Sequence, residues 1–504
     1  MIKNRVGSRR LVAAAAVLTM TALGLSACGS DDNDASGDGG PVRALLYAQP
    51  TTLDPVVGAR TAASVWSTML EPLIDADDDL ELVDTGIITS WERTDPTTWT
   101  FKVREGIEFT NGEKADAAAV ANSILLNRDT DAAILKSYFA NVKTVEAPDA
   151  TTVVVTTEKP QYNLADLLSN VFLVPAKYYE EKGSEGFAAA PVGTGPYVLD
   201  EVAAGRSISV KVNPDYWGEE PENEGVEFTW SNEPSQRLAL LQSESVDIAL
   251  DLPQAQAEQA EKAGLKTTTV DTAMKIIAFL ESNKAPFDDP QLREAAALAI
   301  DREAIAEGIF DGNVIPDGGL LNIKPGSEPA EQVDADPAKA KSLVKGSPEV
   351  PITYPAGQYV NIDEVAQAIG GSLEAAGFKV KYNPVDYGTL VKQIVGRQLN
   401  GIYFFAGVPN VAVPDFFASG FMKSVSITGN CPDPKMDELV ASALEQDDAA
   451  AAAPIYEELN TLGVVEKHCY VPLYRMQHTY ATQKDVSGMG FNALSAMDFT
   501  KVKS

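Results

Sequence analysis

Thr98-Trp99-Thr100-Phe101-Lys102-Val103-Arg104-Glu105-Gly106-Ile107-Glu108-Phe109-Thr110-Asn111-Gly112 is the stretch from which the rest of the chain can be read. Trp99, Phe101 and Val103 alternate with Thr100 and Lys102, which gives an extended strand one apolar and one polar face. Asn111-Gly112 then supplies a turn, because both residues tolerate positive φ. An Ala-rich helix is expected over 116–126, and Val153, Val154 and Val155 mark a strand over 151–156. Upstream, a short strand is expected over 43–48, and Ala62, Val65, Trp66, Met69, Leu70 and Leu73 fall on one helical stripe. Downstream, helices are expected over 292–300 and 365–376, the second stopped by Gly377 before a strand over 378–382. Strands and helices interleave along the chain, so the class is mixed α/β.

The N-terminus carries Lys3, Arg5, Arg9 and Arg10, then an apolar run from Leu11 to Leu25. A basic start and an apolar segment short for a bilayer describe a secretory signal over 1–27 rather than a transmembrane helix. Leu25-Ser26-Ala27-Cys28 resembles the lipobox of bacterial lipoproteins, which implies cleavage before Cys28 and acylation of that Cys. At about 0.8 kcal/mol per buried CH2, several acyl chains would anchor a soluble body to the cell membrane. Ser8-Arg9-Arg10-Leu11 leaves the general and the twin-arginine export routes both open. Residues 29–40, directly after Cys28, have no apolar side chain larger than Ala and a dense negative charge, which predicts a flexible tether over 28–40.

The 504 residues are 45% hydrophobic and 8% aromatic, enough for a large core or two to three domains. Forty Lys and Arg face 72 Asp and Glu, and the signal takes away four bases and no acid. Such an acidic body repels phosphate backbones, which argues against nucleic-acid binding. Asp75-Ala76-Asp77-Asp78-Asp79-Leu80 is read as an acidic turn and not a calcium loop, since Leu80 stands where the loop needs Gly. Beyond Cys28 only Cys431 and Cys469 remain, and outside the cytoplasm they are expected to be bridged.

A series of motifs runs through the body in order: Thr52-Leu53-Asp54-Pro55, Leu70-Glu71-Pro72-Leu73, Trp91-Glu92, the stretch 98–112, and Val192-Gly193-Thr194-Gly195-Pro196-Tyr197. Asn213-Pro214-Asp215-Tyr216-Trp217-Gly218 follows, then Pro286-Phe287-Asp288-Asp289-Pro290-Gln291-Leu292-Arg293-Glu294-Ala295 and Ala299-Ile300-Asp301-Arg302. Together they resemble the family 5 extracellular solute-binding proteins, the peptide- and nickel-binding receptors of ABC importers. The resemblance implies a two-lobe periplasmic-binding-protein-like α/β fold with an extra inserted subdomain. It places the first lobe at 41–60, 190–270 and 479–504, the insertion at 61–189 and the second lobe at 271–478. Crossovers near Asp271 and His478 would form the hinge. It also implies a monomer that closes on its ligand and delivers it to a membrane permease and ATPase, without a cofactor.

Dipeptide-binding relatives hold the ligand's ammonium with an Asp in a Trp-Xaa-Xaa-Asp segment and its carboxylate with an Arg. Here the corresponding segment, 401–415, has no Trp and its only Asp is Asp415, while 354–359 has no Arg. With two His in the whole chain, a nickel site is poorly supplied with ligands. The ligand-binding set read from the sequence is Arg60 and Thr61 after the first strand, Tyr138 and Asn170 in the insertion, and Tyr354, Tyr359, Phe404, Phe405 and Asn410 in the second lobe. An apolar and aromatic set with few polar groups suits a longer peptide or another organic solute.

Two rival classes have less support. A secreted hydrolase lacks support, because there is no Gly-Xaa-Ser-Xaa-Gly elbow, no His-Glu-Xaa-Xaa-His and no zinc-ligand cluster. A surface sensor on the same scaffold uses the same closure and stays open. Closing the loop between Cys431 and Cys469 would contribute roughly 3 to 4 kcal/mol in the chain-entropy model. The protein starting after Cys28, unfolded without reductant, is expected to show no reactive thiol; two reactive thiols would overturn the pairing.

Overall fold

Two strands, Lys266–Leu280 and Tyr470–Thr482, decide the architecture of the computed structural model, which describes residues 40–58, 62–77, 80–321, 333–408, 413–491 and 497–504. Cys28 and the signal segment 1–27 lie outside the described residues, as does the tether up to Gly39. The strands are 15 and 13 residues long, against a usual length of about 5 to 6. They pair antiparallel from Lys266↔Thr482 to Phe279↔Tyr470, with a register shift between Asp271 and Lys275.

An eleven-stranded sheet grows from this pair. Beside Lys266–Leu280 lies Ile402–Gly407, then Glu349–Pro355 and Lys379–Val385. Beside Tyr470–Thr482 lies Ile248–Ala249, then Val42–Leu46, Gly225–Trp230, Ser207–Val212 and Tyr197–Ala203. Val314–Pro316 also pairs with Tyr470–Thr482, within it at Tyr474–Met476. Ile402–Gly407 touches only Lys275 to Leu280 of its neighbour, whereas Ile248–Ala249 touches only Ala481 and Thr482 of its own. The two halves of the sheet therefore hang on opposite ends of the strand pair, and its middle is the link between two lobes.

Period-2 alternation fixes which face each residue takes. Ile276, Ala278 and Leu280 face one core with Ile352 and Phe404, while Ile277 and Phe279 face another with Tyr403 and Phe405. In the other half, Val42, Ala44 and Leu46 look to one side and Leu45 to the other, under the helices Pro234–Gln242 and Gln254–Lys262. The strand Val42–Leu46 ends before Tyr47, two residues short of the end expected at 48.

A separate four-stranded antiparallel sheet has the order Ile88–Asp95, Thr98–Val103, Thr152–Thr157, Val142–Asp149. Trp99, Phe101 and Val103 are buried together, and Trp99 Nε1 donates to the Gln161 carbonyl at 3.0 Å. Asp116 caps the helix Ala117–Asp129 by accepting from the amides of Ala118 and Ala119. That helix runs past the expected end at 126, because Asn127 turns its amide onto the Ser123 carbonyl, 3.0 Å away, instead of breaking the turn.

The Gly193-Thr194-Gly195-Pro196-Tyr197 motif marks where the chain returns from this unit. A Cβ at Gly193 would stand 2.1 Å from the Met69 carbonyl oxygen, and one at Gly195 2.6 Å from the Met69 carbonyl carbon. The backbones meet there through Gly195 N to Met69 O and Tyr197 N to Thr68 O, both 3.0 Å. Only glycine permits that approach. Likewise Gly377, at φ +109°, ends the helix Ile362–Ala376, which begins a turn earlier than the sequence suggested. Cys431 and Cys469 are joined, with Cα atoms 5.9 Å apart, and Asn430 beside them donates to the Leu280 and Cys469 carbonyls. Among the described residues no helix is long and apolar enough to cross a membrane.

At the register shift the strand pair carries buried charge. Lys275 and Arg475 are directly opposite each other, and both reach Asp317 Oδ2, at 2.9 and 3.2 Å. Lys275 also donates to the Gly319 carbonyl at 2.6 Å. Burial pulls Lys275 down to about 8 against the pull of Asp317 in the other direction. Removing one member of such a set leaves uncompensated buried charge, typically at a cost of about 3 to 5 kcal/mol. Asp317→Ala is therefore expected to lower the thermal midpoint by roughly 5 °C in calorimetry. A midpoint within about 1 °C of the parent would show that the carboxylate does not hold the pair.

Candidate ligand cleft

The cleft follows from strand direction. Val42–Leu46 runs parallel to Gly225–Trp230 and to Ile248–Ala249, and Glu349–Pro355 runs parallel to Lys379–Val385 and to Ile402–Gly407. In open parallel sheets the crevice beyond the carboxyl ends is where ligands bind. Just past those ends lie Tyr47, Ser231 and Asp251 on one lobe, and Tyr359 and Tyr387 on the other.

These side chains converge across the gap. Tyr47 lies within electrostatic reach of Asp251, Arg237 and Tyr387, and Tyr359 within reach of Tyr47 and Tyr387. The Tyr387 ring stacks on Phe405 at 6.1 Å and 3° between planes, and stands edge-on to Tyr359 at 6.4 Å. Tyr359 Oη accepts the Ala406 amide at 3.2 Å, which pins the ring to the strand end. Asp386 positions Tyr387 by capping the helix Tyr387–Val395, accepting from the Thr389 amide at 2.9 Å.

One charged group stands among these rings. Asp251 sits in the left-handed region at φ +55°, which Asp tolerates better than most residues, and its carboxylate is hydrogen-bonded to His478 Nδ1. Arg237 is buried and holds the loop in place, donating to the Ser231 carbonyl at 2.7 Å and to the Asp251 carbonyl at 2.8 Å. His478 lies on the linking strand, opposite Val270. Burial acts to lower its pKa, and the charge and hydrogen bond of Asp251 outweigh burial and raise it above the ordinary histidine value. Burial pushes the Tyr47 and Tyr480 hydroxyls upward, and the Asp251 charge adds to it, so both rings stay neutral.

Of the residues singled out in the sequence, Tyr359 and Phe405 come together at this cleft with Tyr387. Tyr354 and Phe404 face the core on the other side of the sheet, packed against each other at 6.5 Å, with Phe404 wholly buried. The reason is parity: Phe404 and its neighbour Phe405 point to opposite faces. Asn170 is buried beside Ser169 and the Asp166 carbonyl. Arg60, Thr61 and Asn410 lie outside the described residues. Tyr47, Arg237, Asp251, Tyr387 and His478 were missed as ligand candidates, although Leu252-Pro253 after a short apolar strand signals a strand end at Asp251.

The four-stranded unit closes against the second lobe. Tyr138 lies flat on Phe416, at 5.5 Å and 9°, and donates from its hydroxyl to the Phe416 carbonyl at 3.0 Å. Gly420 leaves room for that hydroxyl, since a Cβ there would come within 2.4 Å. Arg93 donates to the Gln446 carbonyl and the Tyr162 amide to that of Leu444. Asp415 is buried at the same contact, accepting from Ser419 Oγ at 2.5 Å, and burial raises its pKa. It is thus held inside the interface, apart from the tyrosine-lined end.

Two lobes joined by paired strands, with a cleft at their facing strand ends and a third unit closing one side, define a solute-binding receptor. Residues 83–429 match the model of the bacterial extracellular solute-binding proteins, family 5 (middle), and the chain belongs to that family. The glutathione-binding protein GsiB of Escherichia coli (strain K12) is 27% identical over 469 residues, spanning 87% of this chain and 89% of that one. Among solved structures, AgaA of A. tumefaciens R10 in complex with agropinic acid superimposes with a TM-score of 0.79 at 24% identity, covering 92% of this chain and 98% of AgaA. DppA of Helicobacter pylori in complex with the peptide STSA gives 0.77 at 21%, with the same coverage.

The Tyr138–Phe416 contact combines a ring stack and a hydrogen bond, each worth about 0.5 to 1.5 kcal/mol. In Tyr138→Ala, amide exchange over 416–422 is expected to speed up about tenfold. Unchanged exchange would show that the contact adds nothing to closure.

Proposed function

We infer that this chain is the substrate-binding lipoprotein of an ABC importer, capturing an oligopeptide or peptide-like organic solute between two closing lobes and passing it to a membrane permease and ATPase. The signal ends at 27, Cys28 carries the lipid, and 28–40 tethers a monomeric body outside the cell. The first lobe comprises 41–60, 190–270 and 479–504, the insertion 61–189 and the second lobe 271–478. The role is capture and release rather than catalysis.

The observation that carries this reading is the meeting of Tyr47 and Asp251 from one set of strand ends with Tyr359 and Tyr387 from the other. Ligand held there bridges both lobes, so binding and closure are linked, and a closed receptor is what a permease distinguishes from an empty one. Rings and strand-end backbone suit a chain-like organic solute. Relatives that bind glutathione and the peptide STSA support the peptide class, and AgaA with agropinic acid supports the alternative of a non-peptide solute.

Native mass spectrometry of the protein starting after Cys28 tests the reading. Added masses spaced as short peptides are expected. A single non-peptide mass would establish the alternative ligand class, and a protein that carries and gains no solute from a peptide mixture would overturn the assignment.

A further inference from the structure

The cleft end has an unusual charge balance. Asp251 keeps 21% and His478 23% of their side-chain exposure, so this pair is reachable, as are half-buried Tyr47 and exposed Tyr387, while Tyr359 and Tyr480 are buried. His478 Nδ1 takes Asp251 Oδ1, and no other described side chain bonds the carboxylate. A carboxylate has acceptor sites on both oxygens, so Oδ2 can accept a further donor. Among the described residues the permanent cation beside Asp251 is Arg237, which is turned away: its two terminal nitrogens donate to carbonyls and the residue is 3% exposed. The remaining charged or titratable neighbours are Glu233 beside Arg237, and Tyr47, Tyr387, Tyr359 and Tyr480, whose phenols stay neutral.

An anionic group entering here would meet a carboxylate and electron-rich ring faces, and among the described residues no accessible permanent cation balances its charge. A cationic group would meet the opposite. It finds a carboxylate in a weakly screened setting and aromatic faces whose quadrupoles attract positive charge. We propose that Asp251, held in place by Arg237 and partnered by His478, is the recognition point for a cationic group of the solute, such as an amine. The inference rests on the solute-binding reading above, and does not require the solute to be a peptide.

His478 makes the site sensitive to pH. When the imidazole is protonated it neutralises Asp251 and competes with the ligand. When it loses the proton, the carboxylate charge is uncompensated. The histidine pKa is raised by the charge and hydrogen bond of Asp251, so affinity for a cation climbs as pH rises and the imidazole loses its proton, at a pH above the ordinary histidine value.

The test uses tetrapeptides randomised without Lys, Arg or His, an N-acetylated copy of the same mixture, and the amines agmatine, spermidine and choline. Native mass spectrometry is expected to find the free-amine mixture retained and the acetylated one not. Asp251→Asn keeps a residue that tolerates φ +55° and should fold with an unchanged melting point. It is expected to bind at least about tenfold more weakly, the loss of one charge-assisted contact. Wild-type affinity should rise about threefold or more from pH 5.5 to 7.0, and this rise should flatten in His478→Gln. Equal retention of both mixtures, or equal affinity of wild type and Asp251→Asn, would overturn the proposal. If neither mixture is retained, the peptide reading fails and the amines decide. A cation that raises the melting point of wild type but not of Asp251→Asn sustains the site, and no such cation refutes it.

Discussion

Everything in this molecule depends on the pairing of Lys266–Leu280 with Tyr470–Thr482. Each strand is shared between two lobes, and each end is held by a different set of neighbours. Among the described residues the stretch Gln477 to Tyr480, opposite Asp271 to Thr268, pairs with no third strand, whereas the residues on either side of it do. Bending there disturbs little of either core, whereas bending elsewhere would break continuous ladders. Cross-strand bonds such as Thr269 to Thr479 and Gln477 to Asp271 keep the two strands together as they cross. The buried Lys275–Asp317–Arg475 set fixes the register on the second-lobe side, since a slip would leave a charge without its partner in a dry interior.

The cleft is a consequence of that arrangement. Parallel strands in each half point their carboxyl ends at the gap, and loops after those ends carry Tyr47, Asp251, Tyr359 and Tyr387 into it. Local structure then orients each group: an Arg237 clamp on two carbonyls, an Asp386 cap, and an Ala406 amide on the Tyr359 hydroxyl. The inserted sheet adds a second contact between halves through Tyr138 and Phe416, distant in sequence by 278 residues. A receptor built this way couples ligand contact to closure because the same loops do both.

Much of the scaffold was legible because the relevant signals are local. Alternation at Trp99, Phe101 and Val103, the cap at Asp116, the stop at Gly377 and the glycines at 193 and 195 each act within a few residues or through one close approach. The family resemblance added the two-lobe order. The candidate site was legible only in part. Tyr359 and Phe405 lie at the cleft, while Phe404 and Tyr354, taken from the same two segments that the resemblance marks, face the core. Asp251 and His478 are 227 residues apart, and nothing in either neighbourhood announces the other.

Sequence by itself determined the class of fold and the family, raised the export signal and the anchor as expectations, and marked single helix boundaries such as the start at Asp116 and the stop at Gly377. These depend on short-range patterning, on backbone freedom at particular residues, and on motifs kept in order. Only the tertiary structure decided which aromatic side chains meet across the gap and which are core, and which acid stands exposed among them. Asp415 and Asp251 look alike in the sequence, yet one is buried with Ser419 and the other is open beside His478. The difference lies in what packs around each carboxylate, and packing joins residues that the chain itself keeps far apart.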